Sequence, residues 1–264
     1  MDDAQAIADR FLLARRNSRY LKAFPGAQPA TLADAYRVQE RMLAGYPVEP
    51  VGWKVGSIAP RMAAILGADR LVGPIVNLAH APAGVMVEAP LISGGFGAVE
   101  AEIALLIGSD IPAQREPPVM AELAAHVAST HIAAEIAGSP LATIVDLGPT
   151  AVISDHGNNL AVVIGDTIPN GLAQSLDSLT CTVSIDQAAI ASGSAGQVPG
   201  GPLAALSFLV QQLATRGRSL KRGDWVSTGA MTGVHSVAPG MQAELDFGAH
   251  GRIPIRFVQA TTGH

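Results

Sequence analysis

The segment VEAEIALLI, residues 99–107, predicts a β-strand that ends in an apolar run. Side chains alternate between the faces of a strand, so Glu100 and Glu102 share one face, about 6.5–7 Å apart. Two neighbouring carboxylates on an apolar strand repel each other and lose hydration. A divalent cation such as Mg²⁺ or Mn²⁺ would offset both costs, because hard cations bind carboxylate oxygens. The alternative is an edge strand that carries two solvated acids.

Two further charges stand in apolar surroundings. Glu135 is the one charged residue of the run IAAEIA, residues 132–137, and Lys54 is the one charged residue of VGWKVG, residues 51–56. A lysine in an apolar strand is seldom buried unless it is paired. Lys54 could therefore neutralise the acids or bind a substrate carboxylate. The alternatives are a surface position for Glu135 and a lysine that reaches out to solvent.

The histidines and the single cysteine carry weaker signals. None of the seven histidines has a metal-ligand spacing such as H-E-x-x-H. His131 precedes Glu135 by four residues, so the two could share a face of a strand or of a helix. His156 lies in the polar turn SDHGNN, residues 154–159. Without a G-x-S-x-G segment, and with Cys181 next to no obvious base, serine and cysteine hydrolase mechanisms are disfavoured.

The chain divides into a helical start and a strand-rich remainder. The periodicity predicts a helix over 2–23 and a second helix that opens at the capping pair Thr31 and Asp34. Further helices are predicted at 59–66, 119–128 and 203–216. Predicted strands are 51–56, 74–77, 84–88, 98–107, 143–146, 151–154, 160–164, 179–185, 225–229, 242–248 and 252–258. We expect a helical segment over 1–48, a β-rich catalytic unit over 49–264, and a flexible loop over a site at 191–201.

Strands and helices that do not alternate regularly indicate an α+β fold. Charged residues are 15% of the chain against 48% hydrophobic, which excludes intrinsic disorder. A net charge of −5 argues against a nucleic-acid partner. No apolar run reaches 18 residues, so we expect no membrane span. The acidic start and the lone cysteine predict a cytoplasmic protein, and the scarcity of charge hints at burial in a homo-oligomer.

Five blocks resemble, in order and spacing, the 2-keto-4-pentenoate hydratase / 4-oxalocrotonate decarboxylase branch of the fumarylacetoacetate hydrolase superfamily. The blocks are GWKVG at 52–56, VEAEIA at 99–104, AEI at 134–136, Ser154-Asp155, and LKRGDWVSTGA at 220–230. The resemblance covers nearly the whole chain. It implies a mixed β-roll with surrounding helices, usually in oligomers.

The resemblance also implies a site and a chemistry. Glu100, Glu102 and Glu135 would bind Mg²⁺ or Mn²⁺, and Lys54 would pair with substrate charge or move a proton. The substrate would be a small 2-hydroxydienoate or 2-oxo acid from aromatic meta-cleavage. The cation would stabilise an enolate during hydration or decarboxylation. We expect a hydratase; the alternatives are a decarboxylase, an acylpyruvate C–C hydrolase and a non-catalytic assembly partner.

The chain departs from the family pattern at three places. Hydratases carry an acid after the lysine block, where this chain has Leu71. The family's Asp-Asn pair is Asp155-His156 here, and a His-Pro before the long helix is Gly201-Pro202. Asp155 and His156 therefore join Lys54 as candidate catalytic residues, and His156 or His131 could replace the missing proton donor.

Overall fold

The computed structural model describes residues 3–113, 116 and 118–261. It consists of helices and two β-sheets. The α-helices are α1 (Asp3–Arg16), α2 (Leu32–Leu43), α3 (Pro60–Leu66), α4 (Met120–Ala125), α5 (Pro149–Ser154) and α6 (Gly201–Ala214). The strands are β1 (Gly52–Ser57), β2 (Arg70–Ile75), β3 (Leu78–His80), β4 (Val87–Leu91), β5 (Phe96–Ile107), β6 (Val127–Ser139), β7 (Asn159–Thr167), β8 (Thr180–Ile185), β9 (Ala188–Ser194), β10 (Trp225–Ser227), β11 (His235–Ser236), β12 (Gln242–Asp246) and β13 (Arg252–Gln259). None of the helices described has the length and apolar character that crossing a bilayer requires.

The larger sheet is curled. Its strand order is β2-β1-β10-β5-β6-β7-β3, with β11 paired to β5. Strands β2 and β3 are joined by Val76 and Asn77 alone, yet they occupy opposite ends of this order. The sheet must therefore close on itself into a roll, whose inner face is lined by residues such as Ala104, Ala133 and Val162, all fully buried.

The smaller sheet closes the fold, with strand order β4-β13-β12-β8-β9. In β13 the buried side chains Ile253, Ile255 and Phe257 alternate with the exposed Arg252 and Arg256. This period of two is that of a strand with one face on the core. Parallel pairs (β1–β10, β3–β7, β4–β13) and antiparallel pairs occur together, so the predicted α+β fold with a mixed β-roll is confirmed.

The two helices predicted at the start of the chain are also confirmed, and the first is shorter than predicted. The side chain of Thr31 accepts a hydrogen bond from the Asp34 N–H at 3.1 Å, as the capping pair predicts. Helix α1 ends at Arg16 rather than at residue 23, because Ser18 takes a left-handed conformation with φ 50°. A residue in that conformation cannot continue a right-handed helix.

Some predicted elements were wrong. Residues 143–146 form turns, and the expected strand at 151–154 belongs to α5, which starts at Pro149. Proline is favoured in the first turn of a helix. The 13-residue strand β6 was not predicted, and the expected helix 119–128 is shorter because β6 begins at Val127. The expected loop 191–201 begins inside β9.

Candidate metal centre

Two central strands of the roll bring the three predicted acids together. Strands β5 and β6 are antiparallel, and Glu100 lies directly opposite Glu135. Glu102 is two residues further along β5 and shares their face. One oxygen from each carboxylate lies within 4.8 Å of the others. The residues are only 8%, 0% and 1% exposed, in the order Glu100, Glu102, Glu135.

Strand β1, which β10 separates from β5, adds the predicted lysine. Its Nζ lies 3.4 Å from Oε1 of Glu135, and Lys54 is 4% exposed. Burial alone lowers the pKa of Lys54, but the three carboxylates, led by Glu135, raise it above its ordinary value. The ammonium group is therefore charged and compensates one of three acids. Lys54 is paired inside the roll rather than reaching solvent.

Each of two carboxylates keeps one oxygen without a protein donor. Oε2 of Glu102 accepts hydrogen bonds from the Ser227 hydroxyl and, at 2.9 Å, from the Gly229 N–H. Oε1 of Glu135 accepts from Nδ2 of Asn159 at 2.9 Å. Among the described residues, Oε1 of Glu102 and Oε2 of Glu135 have no hydrogen-bond partner although they are buried. Buried acceptors of this kind require a partner, and a hard cation is a suitable one.

The electrostatics of the acids point in the same direction. Burial, followed by the charge of Glu135, raises the pKa of Glu100 to about 8. Burial, Glu135 and Glu100 raise the pKa of Glu102 well above its ordinary value, although the donors Ser227 and Gly229 act against this. Protons therefore stabilise the cluster where a divalent cation would otherwise do so. The donor set, three buried carboxylates, fits Mg²⁺ or Mn²⁺.

The two other candidate catalytic residues lie in the turn between α5 and β7. Oδ1 of Asp155 accepts from Nε of Arg15 at 2.6 Å. The ring of His156 packs on Tyr46, with 5.2 Å between centroids. Burial, followed by the charge of Arg15, holds the pKa of His156 well below its usual range, so the ring is neutral.

This turn forms a wall beside the lysine. A Cβ added to Gly73 would come 2.2 Å from the backbone oxygen of His156, and one added to Gly157 would come 3.1 Å from Cε of Lys54. Only glycines permit this approach. Asp155 and His156 thus lie near Lys54, while the contacts of their side chains run to Arg15 and Tyr46.

Leu71, which by sequence stands near the position of an acid in the hydratases that the chain resembles, lies on the strand beside the lysine. It pairs with Gly56 across β1 and β2 and is 5% exposed. A Cβ added to Gly56 would meet Lys54 Nζ at 3.3 Å and Leu71 Cδ1 at 3.4 Å. The ammonium group is therefore flanked by an apolar side chain on this side.

His131 shares the inner face but has other partners. Its Nε2 lies 2.9 Å from the Ser129 hydroxyl and its Nδ1 lies 3.1 Å from the Gly165 carbonyl. Its ring packs against Trp225 at 5.0 Å. Both ring nitrogens are thus engaged away from the acids, which disfavours His131 as the replacement proton donor.

Sequence reasoning missed Ser227, Asn159 and Arg15 as neighbours of the centre. Ser227 and Asn159 lie in segments that the sequence singled out, the block 220–230 and the turn 154–159. Arg15 is one of several arginines near the start of the chain, and nothing local distinguishes it from the others. Its contacts with Asp155 and Asn159 join residues 140 and 144 positions apart.

Comparisons with known proteins agree on the fold. No protein-family model matches the chain. A 4-oxalocrotonate decarboxylase of Pseudomonas putida is 26% identical over 106 residues, and the alignment spans 40% of this chain and 40% of that relative.

Solved structures match over much longer stretches. The 4-oxalocrotonate decarboxylase from Pseudomonas putida G7, complexed with magnesium and adipate, gives a TM-score of 0.78 at 22% identity, covering 97% of each chain. Fumarylpyruvate hydrolase from Pseudomonas aeruginosa, in complex with Mn²⁺ and pyruvate, gives 0.57 at 18% identity, covering 81% of this chain and 91% of that one. These structures confirm the mixed β-roll fold that the resemblance implied.

Proposed function

We propose that this chain is a divalent-metal-dependent lyase that decarboxylates a small unsaturated 2-oxo acid of the 4-oxalocrotonate type. The observation that carries the proposal is the buried group of Glu100, Glu102 and Glu135, whose oxygens lie within 4.8 Å of one another beside one charged lysine. The likeness to two metal-bound enzymes of 2-oxo acid chemistry supports it. Degradation of aromatic compounds would supply such a substrate.

The protein would hold Mg²⁺ or Mn²⁺ through these three carboxylates. Bound there, the cation would supply Lewis acidity at the carboxylate and keto oxygens of a 2-oxo acid. Ser227 and Gly229 fix one oxygen of Glu102 and leave the other free. Asn159 does the same for Glu135. The chain thus orients both carboxylates before a cation arrives.

Lys54 is the proton source in this proposal. When CO₂ leaves, the electrons of the broken C–C bond pass into the conjugated ketone of the substrate as an enolate. That product needs one proton, and Lys54 carries it on Nζ, 3.4 Å from Glu135. Because the pKa of Lys54 is raised, the amine regains a proton readily after each turnover.

Leu71 favours decarboxylation over the hydration that we expected from the sequence. Hydration requires a group that activates water, and an acid next to the lysine would serve. Decarboxylation requires an electron sink and a proton but no water. An apolar side chain on the side of Lys54 that Gly56 leaves open suits the second reaction. Hydration remains the alternative outcome of the test below.

The C–C hydrolase alternative has less support. It would need a histidine paired with an acid near the cation. The ring nitrogens of His131 bind Ser129 and Gly165, while the ring of His156 packs on Tyr46. We keep Asp155 and His156 as proposed supporting residues in the wall beside Lys54. Homo-oligomeric assembly and a cytoplasmic location stay predictions.

The test compares 4-oxalocrotonate with 2-hydroxypenta-2,4-dienoate, with and without Mg²⁺, and follows ultraviolet absorbance, CO₂ and hydrated product. We expect Mg²⁺-dependent CO₂ release from the first compound and little hydration of the second. Leu71→Asp should lose CO₂ release and gain hydration, whereas the uncharged Leu71→Asn should lose the first without gaining the second. Hydration by the wild-type enzyme without CO₂ release would instead identify a hydratase, and failure to bind Mg²⁺ at millimolar concentration would favour a non-catalytic protein.

A further inference from the structure

The guanidinium group of Arg15, in the first helix, is buried at the edge of the metal centre. Its side chain is 6% exposed. Nε donates to Asp155 Oδ1 at 2.6 Å, and Nη1 donates to the carbonyl oxygen of Asn159 at 2.9 Å. Nη2 donates to the carbonyls of Gly138 at 3.0 Å and Asp155 at 3.2 Å. The planar fork thus joins strand β6 to the turn that leads into β7.

These segments are those that hold the third carboxylate. Gly138 lies three residues after Glu135 on β6, and Asn159 begins β7, which pairs with β6. The side-chain amide of Asn159 donates to Glu135 Oε1 at 2.9 Å. Arg15 therefore binds both the strand that carries Glu135 and the residue that orients its carboxylate.

The position of the free oxygen depends on this arrangement. Oε1 of Glu135 is occupied by Asn159 and lies 3.4 Å from Lys54. With Oε1 held, Oε2 is the oxygen left without a partner among the described residues. If the amide of Asn159 shifted, the carboxylate could rotate and pair fully with Lys54, so that neither oxygen would be free for a cation.

We propose that Arg15 is a positioning residue of the metal centre, acting through Asn159 on Glu135, so that the N-terminal helix α1 is a working part of the site. This inference rests on the metal site of the proposed function. The competing interpretation is a buried ion pair, Arg15–Asp155, that merely fastens α1 to the roll. A fastening role predicts a loss of stability with unchanged metal affinity. A positioning role predicts a loss of metal affinity in protein that is still folded.

The experiment titrates Mn²⁺ into folded protein by calorimetry, with circular dichroism to verify folding. We expect Asn159→Ala and Arg15→Gln each to weaken Mn²⁺ binding by about 10–100-fold, the usual effect of losing a partner of a metal ligand. Arg15→Lys keeps the charge but cannot make all four hydrogen bonds of the guanidinium, so it should recover only part of the affinity. The matched control is Arg216→Gln. Arg216 also has a buried guanidinium paired with an acid, in this case Glu40, and the variant should bind Mn²⁺ as the wild type does.

The outcomes separate the inference from the proposed function. Wild-type affinity in folded Arg15→Gln and Asn159→Ala would overturn the inference while leaving the metal site intact. If Arg15→Gln does not fold, Asn159→Ala decides alone, and its unchanged affinity would overturn the inference. An equal loss in Arg216→Gln would also overturn it, because the effect would then be general. A wild-type protein that binds no Mn²⁺ would overturn both.

Discussion

Two ionic clusters lie on opposite faces of strand β1, and they differ in burial and in their balance of acids and bases. Lys54 points into the roll, where one ammonium group meets three carboxylates. Its neighbour Trp53 points to the other face, where the guanidinium of Arg216 packs 5.3 Å from the Trp53 ring centroid. We call these the inner cluster (Lys54, Glu100, Glu102, Glu135) and the outer cluster (Arg216, Arg218, Glu40, Glu49).

The outer cluster is balanced and internally paired. Arg216 lies 3.2 Å from Glu40, and Arg218 lies 2.8 Å from Glu40 and 3.6 Å from Glu49. The ring of Tyr36 adds a second aromatic face, 4.7 Å from the Arg216 guanidinium carbon. Two cations thus offset two anions. The outer cluster balances its own charge and is partly exposed, although Nε and Nη2 of Arg216 have no hydrogen-bond partner among the described residues. The inner cluster is buried and places three acids beside one lysine, an arrangement suited to bind a cation.

The largest effect is expected from a substitution in the inner cluster. Glu102→Gln removes a ligand oxygen, so Mn²⁺ affinity measured by calorimetry should fall by more than the ~10–100-fold typical of residues behind the ligands. The metal-free variant should keep the wild-type thermal midpoint at pH 7. The reason is that burial and the neighbouring carboxylates raise the pKa of Glu102 and so disfavour its charged form, and the uncharged amide of glutamine should fit the metal-free site. A midpoint several degrees lower, with Mn²⁺ binding retained, would make Glu102 a structural residue.

The second prediction concerns the pH dependence of metal binding at the inner cluster. Because the pKa of Glu100 is about 8, a cation that binds below that pH must displace its proton. Mn²⁺ affinity should therefore rise by at least about tenfold per pH unit up to about pH 8, because the pKa of Glu102 is raised as well. Calorimetry at pH 7 in buffers of different ionisation enthalpy should detect the released proton. Affinity that stays level between pH 6 and 8 would contradict the buried, proton-sharing acids.

The same shift sets the stability of the metal-free protein. The folded carboxyl of Glu100 keeps a proton that the unfolded chain loses near the ordinary glutamate pKa, so unfolding releases protons above that value. Stability therefore falls as the pH rises from about 4.5 through about 8. Urea unfolding at a series of pH values measures this, and saturating Mg²⁺ should flatten the curve. A metal-free stability that rises over this window would have the wrong sign.

The smallest expected effect concerns the outer cluster. Arg216→Gln removes a charge-assisted pair and two aromatic contacts, which should lower the free energy of unfolding by about 1–2 kcal/mol in urea denaturation. Mg²⁺-dependent turnover of the folded enzyme should not change. An unchanged free energy of unfolding, or a loss of Mg²⁺-dependent turnover, would contradict the assignment of the outer cluster to stability and of the inner cluster to metal binding.

Local patterns predicted the acids well. The alternation in residues 99–107 placed Glu100 and Glu102 on one face of β5, because strand periodicity is a local property. Glu135 and Lys54 were identified because each is the one charged residue in an apolar segment. The sequence could not place Glu135 on a strand: β6 is rich in alanine, which favours helices as well.

The rest depends on contacts that no local pattern encodes. The segment 151–154 is a short apolar run that suits a buried strand or a buried helix equally, and the packing of α5 decided for the helix. Arg15 gave no sign of its role, because its partners lie more than 120 residues away in the sequence. The side chains that orient each carboxylate come from distant segments that only the folded roll brings together.

Anomalous diffraction at the manganese edge, from crystals grown with Mn²⁺, tests the central claim most directly. The account predicts one strong peak per chain, within the coordination distance of hard cations, about 2.0–2.6 Å, from oxygens of Glu100, Glu102 and Glu135. Crystals of Glu102→Gln should lose that peak. A well-ordered wild-type crystal with no peak at these carboxylates, or with its peak at another site, would contradict the account.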